Sequence, residues 1–490
     1  MRYIVINALD NVAVALTDLR CGESEPVSLL EDVPRGHKIA LRDIAAGAAV
    51  IKYGMPIGMA TRAIRTGERV HTHNVRTGLD SLLSYQYDGP PAADQAAVPA
   101  AHFMGFRREN GAVGIRNHIF IIPTVGCVNK LAERLAAMGN RELVHGSIDR
   151  FLALTHPYGC SQMGRDHEMT RSVLAALARH GNAGAVLVVG LGCENNTLAS
   201  FRELLGPVDE RRVRFLLAQD DGDEVAAGFA ELVRLAAVAA TDQREELPSS
   251  ELIVGLKCGG SDGLSGITAN ALVGRFSDRL LGQGGSTLLS EVPEMFGAET
   301  LLMRRCRSRK IFDQCVGMIN DFKRYFARYG QVIYENPSPG NKDGGISTLE
   351  DKSLGCTQKG GCGLVSGVLD IGEPLQAKGL NLLTGPGNDM VATTLLTAAG
   401  AQLVLFTTGR GTPFGGVVPT IKIASNSALA QRKPRWIDFD AGRLVEAGAD
   451  SAALDDEFFA QVLAVASGAP ARNEQEGYEE IALFKDGVTL

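Results

Sequence analysis

Short apolar runs that stop at a Gly-Cys turn set the strongest constraint on this chain. The pattern Gly-Cys-x-Asn/Gln occurs at Gly126-Cys127-Val128-Asn129, Gly159-Cys160-Ser161-Gln162, Gly192-Cys193-Glu194-Asn195 and Gly355-Cys356-Thr357-Gln358. The first three cysteines are spaced 33 residues apart, and two of the turns directly follow strand-like segments, Ile119–Ile122 and Ala185–Val189. That cadence fits successive βα units better than a solenoid repeat. Such turns present a thiol, an amide and free backbone N–H groups at the carboxyl edge of a sheet, where open α/β folds bind ligands.

The rest of the chain divides around these units. Residues 1–85 carry short alternating apolar stretches punctuated by glycine, Tyr3–Ile6, Val12–Leu16, Lys38–Leu41, Ala49–Tyr53 and Arg69–His71, and predict a small β-rich module. Residues 86–102, rich in Pro, Ala and Asp, have the composition of a linker. Residues 103–245 predict a first α/β domain, with helical spacing over Val128–Met138, Arg165–His180 and Asp223–Ala240. Residues 246–490 predict a second, with strands at Leu252–Gly255, Asn381–Leu383 and Leu403–Thr407 and helices near Glu299–Tyr329 and Val391–Ala399. The expected fold class is α/β, a β module followed by two open α/β (Rossmann-like) layers.

Composition narrows the function. A net charge of −7 without a basic tract argues against nucleic acid as a partner, since phosphate binding needs clustered Lys and Arg. No apolar run approaches the roughly 20 residues that span a bilayer, and Asn7 and Asp10 interrupt any secretion leader. Nine cysteines, an odd number without such a leader, suit a reducing cytoplasm. All nine histidines lie in the first 180 residues, so any imidazole ligand or base comes from the N-terminal third. Gly-x-Ser-x-Gly, His-Glu-x-x-His and a strand-following Gly-x-Gly-x-x-Gly are absent, which disfavours nucleophilic hydrolysis, zinc proteolysis and NAD chemistry.

Several groups can carry chemistry. Cys127, Cys160, Cys193 and Cys356 read either as small hydrophobes where strands end or as ligands for iron, for a cluster or for an anion pocket. In His71-Thr72-His73-Asn74, positions i and i+2 of a strand share a face, so both imidazoles reach one metal ion; two solvated histidines on an edge strand are the plainer reading. The loops Lys257–Gly263, with Ser261 and Asp262, and Asn336–Gly345, with Asn341, leave backbone N–H groups free to hold a carboxylate, and Lys257, Lys352 and Arg410 complete the charge. Ordinary turn chemistry accounts for both loops equally. Glu291 and Glu294 supply a base and a metal ligand, or helix-capping acids.

These segments resemble the family that contains altronate and galactarate dehydratases. The match is carried by Val33–His37, His71–Asn74, Asn117–Asn129, Tyr158–Gln162, Gly190–Asn196, Cys258–Asn270, Glu291–Glu299, Asn336–Lys359 and Thr407–Pro419, which run through nearly the whole chain in order. Trp436–Asp440 and the ending Gly487–Leu490 resemble the altronate branch. Residues 1–80 resemble the β-clip module called SAF. The resemblance implies a hydro-lyase that turns D-altronate into 2-dehydro-3-deoxy-D-gluconate and water in hexuronate catabolism, with galactarate as the alternative substrate. It also implies a divalent metal, iron(II) or manganese(II), and is compatible with a homo-oligomer. On this reading the metal lies near His71 and His73. Asn129, Gln162, Asn195, Ser261, Asp262, Asn341 and Arg410 contact the sugar acid. His156 or His167 is the general acid, and the base is a lysine, a histidine or Glu294, with Lys257 and Lys352 also at the centre. The rival is an iron–sulfur cluster on Cys127, Cys160, Cys193 and Cys356. A sugar-acid binding or regulatory protein is the non-enzymatic alternative, against which stands the absence of a basic face.

Overall fold

Strands of two to six residues cannot bury a core alone, and the N-terminal module borrows one. The computed structural model describes residues 2–79, 84–90, 98–220 and 222–488. Its first part forms two small sheets, Tyr3–Ile4, Val12–Ala15, Lys38–Ala40 and Arg69–Val70 in one, Ala49–Lys52, Met55–Ala60 and Val75–Arg76 in the other. The apolar cluster of Val12, Ile44, Val50, Ile57, Ile64 and Val70 continues into Ala298 and Leu354, far along the chain. Backbone meets backbone where the module docks. A Cβ on Gly263 would lie 2.0 Å from the Gly36 carbonyl oxygen, so only glycine permits the approach.

Residues 91–97 of the expected linker, and Thr489 and Leu490 of the C-terminal motif, lie outside the described residues. Just before that stretch the chain is anchored. Tyr85 Oη donates to Glu299 at 2.7 Å and Tyr87 packs on Phe312, so two aromatic side chains override the linker composition there.

The second domain is a parallel sheet of β1 (His118–Pro123), β2 (Phe151–Ala153), β3 (Ala183–Gly190) and β4 (Val213–Leu217), in the order β2-β1-β3-β4. Helices α1 (Asn129–Glu142), α2 (Gly164–Ala178), α3 (Leu198–Leu205) and α4 (Glu224–Ala239) accompany it. Every residue of β1 is buried, as both faces of a parallel sheet are covered.

The third domain is a larger parallel sheet. Its strands are β5 (Ile253–Cys258), β6 (Ser286–Leu289), β7 (Val365–Leu369), β8 (Leu380–Leu383), β9 (Leu403–Thr408), β10 (Thr420–Ala424) and β11 (Phe439–Asp440), in the order β7-β8-β6-β5-β9-β10-β11. Its helices include α5 (Ala269–Gly282), α6 (Arg309–Arg328), α7 (Leu349–Cys356) and α8 (Asp389–Ala398). The single helix expected over Glu299–Tyr329 is broken into Glu299–Met303 and α6. Cys306 bridges to Val365 in the gap, and Ser308 caps α6 by accepting the Ile311 N–H at 3.3 Å.

The two sheets share a layer. Residues of α2 and α8 lie in one core between them. His180 Nε2 is 3.1 Å from the Ala401 oxygen and the Asn182 amide donates to Gln402 at 2.9 Å, so β3 and β9 start side by side. Strand order reverses between β1 and β3 in one sheet and between β5 and β9 in the other, and each reversal opens a crevice.

Candidate active site

At the β5/β9 crevice the chain buries charge and sulfur together. Lys257, the penultimate residue of β5, is fully buried, with its Nζ hydrogen-bonded to Glu291 and 2.7 Å from Asp389 Oδ1. Glu291, just beyond β6, has a left-handed backbone with φ of 70°. A non-glycine residue adopts it at a cost of about 1–3 kcal/mol and keeps it where the surroundings over-determine it. Cys258 Sγ lies 3.0 Å from Glu294 Oε2 and 3.3 Å from Cys356 Sγ, and Cys356 Sγ is 3.3 Å from the same carboxylate oxygen. Lys359 Nζ donates to Cys258 Sγ at 2.9 Å, and Lys352 Nζ is 2.7 Å from Glu294 Oε1. A Cβ on Gly259 would lie 2.6 Å from Asp389 Oδ2, so any larger residue here would displace that carboxylate.

The charges are mutually sustained. Burial pulls Lys257 down, but Glu291 and Asp389 outweigh it and hold the ammonium above its ordinary value, while burial and then Glu294 push Glu291 well above the usual carboxylate range. Burial likewise opposes ionisation of Glu294, yet Lys352, Lys257 and Lys359 hold it well below the usual carboxylate range. The hydrogen bond with Cys356 brings the Cys258 thiol down to about 7 against its burial, with help from Lys359, while the same bond pushes Cys356 up. The pair thus holds one thiolate readily. Cys258, Glu294 and Cys356 form a buried group whose donor atoms all lie within 4.8 Å of one another, and this donor set fits a divalent metal ion.

Outside this cluster, the loops after β5 and β9 clasp each other, with the Gly409 and Arg410 N–H groups donating to the Gly260 oxygen at 3.0 and 2.9 Å. They border a basin of about 470 Å³ lined by Arg35 of the module, Asp262, Asp343, Arg410, Asn426 and Arg432. Arg35 Nε is buried there without a hydrogen-bond partner among the described residues, as in a site shaped for a polar ligand. A larger cavity of about 920 Å³ lies between the module and α6, away from the thiols and carboxylates, and we place no chemistry in it.

Helix α7 joins module to cluster. Its Glu350 accepts the Gly78 N–H at 2.6 Å and the Thr77 hydroxyl at 3.0 Å. Its Asp351 sits between Lys38 Nζ at 2.8 Å and Lys52 Nζ at 3.0 Å, all three side chains buried. Lys352 and Cys356, at i and i+4, share the face toward Glu294.

Of the residues expected from sequence, Lys257, Glu294, Lys352 and Cys356 come together here, Asp262 and Arg410 line the basin, Ser261 lies in the loop after β5, and Asn341 lies in a short helix, Pro339–Asp343, where a loop was expected. Asn341 is committed to the fold, its amide donating to the Ser261 oxygen at 2.8 Å and its carbonyl capping at Ser338. His71 and His73 do not share a strand face. They occupy the turn 71–74, where Asn74 accepts the His71 N–H at 2.9 Å and donates to the Arg69 oxygen at 2.9 Å. His73 is exposed, whereas His71 packs edge-on against His37 at 5.0 Å and is pushed down to about 3 by burial and then by Lys38.

The second domain corrects further expectations. His156 spends both ring nitrogens on backbone, Nε2 on the Pro123 oxygen at 3.0 Å and Nδ1 on the Tyr158 N–H at 3.3 Å. Burial pushes it down to about 4, which disqualifies it as the general acid. His167 is half-buried on α2, and burial lowers it too. The amides of Asn129 and Asn195 donate to the His156 and Gln162 oxygens at 2.8 and 3.0 Å, and the Gln162 side chain accepts from Thr170 at 2.8 Å. These three groups brace turns instead of waiting for a sugar acid. Cys356 stands apart from Cys127, Cys160 and Cys193, because α7 carries it into the third-domain cluster, so the four thiols do not form one set. Cys258 and Lys359 escaped the sequence reading. Cys258 ends a strand as Cys-Gly, the reverse of the Gly-Cys order that drew attention to the others.

Three family models cover the chain in sequence. An altronate/galactarate dehydratase SAF domain matches residues 1–78, a D-galactarate dehydratase/altronate hydrolase second domain matches 105–240, and the D-galactarate/altronate dehydratase C-terminal domain matches 249–489. An altronate dehydratase of Escherichia coli (strain K12) is 54% identical across the whole of both chains. One of Bacillus subtilis (strain 168) is 52% identical over all of this chain and 99% of its own. A galactarate dehydratase (L-threo-forming) of Escherichia coli (strain K12) is 33% identical over 95% of this chain and 93% of its own.

Proposed function

The chain belongs to the D-galactarate/altronate dehydratase family, and from that premise we propose that it is a hydro-lyase converting D-altronate to 2-dehydro-3-deoxy-D-gluconate and water. The observation that carries the substrate is the whole-chain identity of 54% to an altronate dehydratase, against 33% to a galactarate dehydratase.

The reaction takes the C2 proton beside the carboxylate and expels the C3 hydroxyl, and the resulting enol becomes the ketone. The C2 proton is weakly acidic, so the charge that develops on the carboxylate oxygens must be stabilised. Arg410, with Arg35 and Arg432 around the same basin, binds that carboxylate through charge-assisted hydrogen bonds. Asp389 is the base. Its side chain is 39% exposed, whereas Glu291 and Glu294 are 2% and 7% exposed, so it is the carboxylate of the cluster that substrate can reach. Lys257, 2.7 Å away, holds the Asp389 carboxylate in place. Lys352, an ammonium held by Glu294 and by Asn336 at 3.0 Å, donates the proton that lets the C3 hydroxyl leave as water. The module roofs the crevice and keeps bulk water from these charges.

Cys258, Glu294 and Cys356 would hold the divalent ion, and two sulfurs with one carboxylate suit iron(II) better than manganese(II). When bound, such an ion supplies Lewis-acid stabilisation of negative charge on oxygen. The test is an anaerobic assay of D-altronate and galactarate with iron(II), with manganese(II) and with chelator, reading the 2-keto product. Altronate turnover that needs iron(II) is expected. Binding of altronate with no 2-keto product under any metal would overturn the enzymatic reading.

A further inference from the structure

We propose that Cys127, Cys160 and Cys193 form a second metal centre, distinct from the Cys258–Glu294–Cys356 group, that holds an iron–sulfur cluster through three thiolates. The inference does not depend on the reaction assigned above.

Topology brings the three turns together. They follow β1, β2 and β3, which are adjacent in the sheet, and Cys127 and Cys193 flank the crevice where strand order reverses. Pro123 of β1 pairs with Val189 of β3, and each cysteine comes four residues later, so the two thiols leave the sheet at the same height. The turns are then tied into one unit. The Gly126 N–H donates to the Tyr158 oxygen at 2.7 Å and the Asn195 N–H to the Cys160 oxygen at 2.8 Å. The amides of Asn129 and Asn195 add the two further ties described above. The polar follower in Gly-Cys-x-Asn/Gln is thus a brace, and the cysteine is the group left over.

Packing does not account for the Cys127 and Cys193 thiols, whereas Cys160 rests partly against the second-domain core. Cys306 and Cys315 are fully buried, as packing cysteines are, whereas Cys127 and Cys193 are exposed and Cys160 is half-buried. Three free thiols at one edge are an oxidation hazard unless they are ligated. A second observation points to a ligand. Asn196, 2% exposed, has a buried Oδ1 without a partner, while its amide lies 3.5 Å from the oxygen of Thr124, just ahead of the first turn. Among the described residues, the three-donor group within 4.8 Å is the third-domain one. The second-domain thiols are set wider, which suits a polynuclear cluster with each thiolate on a different iron. The other cysteines belong to the module or the third domain, so one iron keeps a position for an oxygen ligand such as the hydroxyl or carboxylate of a small acid. Each thiol gives up its proton on ligation.

The full chain is purified anaerobically, and reconstituted with iron(II) and sulfide if needed. Iron, acid-labile sulfide and visible absorbance are then measured for the wild type, C127S, C160S, the triple C127S/C160S/C193S and C258S. About four irons and four sulfides per chain are expected in the wild type. Most of the sulfide should be lost from C127S and C160S and all of it from the triple variant, with circular dichroism retained, while C258S keeps it. C127S changes an exposed side chain, so it reads the site even where the triple variant fails to fold. No labile sulfide in reconstituted wild type, or full sulfide in C127S and C160S, overturns the proposal, as does its loss from C258S alone. Sulfide-free protein that dehydrates altronate sinks the cluster and leaves the function standing; a clustered protein without product does the reverse.

Discussion

The molecule has two crevices of one design, each where strand order reverses in a parallel sheet, and it fills them in opposite ways. At the third-domain crevice three lysines face three carboxylates and two thiols, nearly all out of water. At the second-domain crevice the turns are braced by neutral amides, a neutral imidazole and Glu194, whose carboxylate accepts the Leu191 and Gly192 N–H groups at 3.0 and 2.7 Å. The difference follows from the roof. Buried charge is sustained only where every ion has a partner and water is kept away, and the N-terminal module docks on the loops and helix of the third-domain crevice.

The largest expected effect comes from Asp351→Ala, which leaves Lys38 and Lys52 as unpaired buried ammonium groups. Breaking such a set costs about 3–5 kcal/mol, so thermal unfolding should shift strongly downward while hydrogen exchange at residues 123–130 stays as before. A shift equivalent to less than about 1 kcal/mol would mean that the module does not roof the crevice through these lysines. Cys258→Ser should sharpen the contrast in chemistry, lowering bound divalent metal and altronate turnover by about a hundredfold or more with the fold intact. Normal metal content in that variant would remove the third-domain metal centre. Arg410→Ala deletes charge-assisted bonds of roughly 1.5–3 kcal/mol, and should raise KM for altronate about ten- to a hundredfold with a smaller change in kcat. An unchanged KM would move the carboxylate site out of the basin.

The smallest effect separates the two crevices by pH. His156, held down to about 4 by burial, contributes stability that is complete above its unfolded value of about 6.5 and is lost as pH falls toward 4. Asp351 and Glu294 are held ionised well below the usual carboxylate range, so their contribution persists through that window and fades only at lower pH. Exchange of amides at 123–130 and 156–162 should therefore rise between pH 6.5 and 4 while residues 257–259 and 349–356 stay protected. Equal loosening of both would erase the distinction.

The two crevices were not equally readable from sequence. The strands ending at Pro123 and Gly190 are long apolar runs with a Gly-Cys stop, so sheet edge and thiols could be found together. Lys257 and Lys352 stood out beside polar, glycine-bearing loops, and Glu294 because it lies three residues from a second carboxylate, Glu291. Cys258 was overlooked beside them because no repeated pattern marks it. The His71 and His73 pairing failed because Asn74 closes a turn, a local hydrogen-bond choice that outweighs strand alternation. Asn129 and Asn195 were read as facing a ligand because a sequence shows that an amide follows a thiol, not which carbonyl it meets. The Lys38–Asp351–Lys52 lock had no local signal at all, since its partners are 313 and 299 residues apart.

That separation sets an order of events in the making of the protein. The module leaves the ribosome before the segment that completes it: the aspartate its two buried lysines require is made some 300 residues later, and Ala298 and Leu354 of its core also follow far along the chain. At roughly 5–20 residues per second, the nascent module waits for about 15–60 s with two solvated ammonium groups and an unfinished apolar face. It is synthesised well before the residues that complete it, and for that interval its unfinished face is a place for a chaperone to bind.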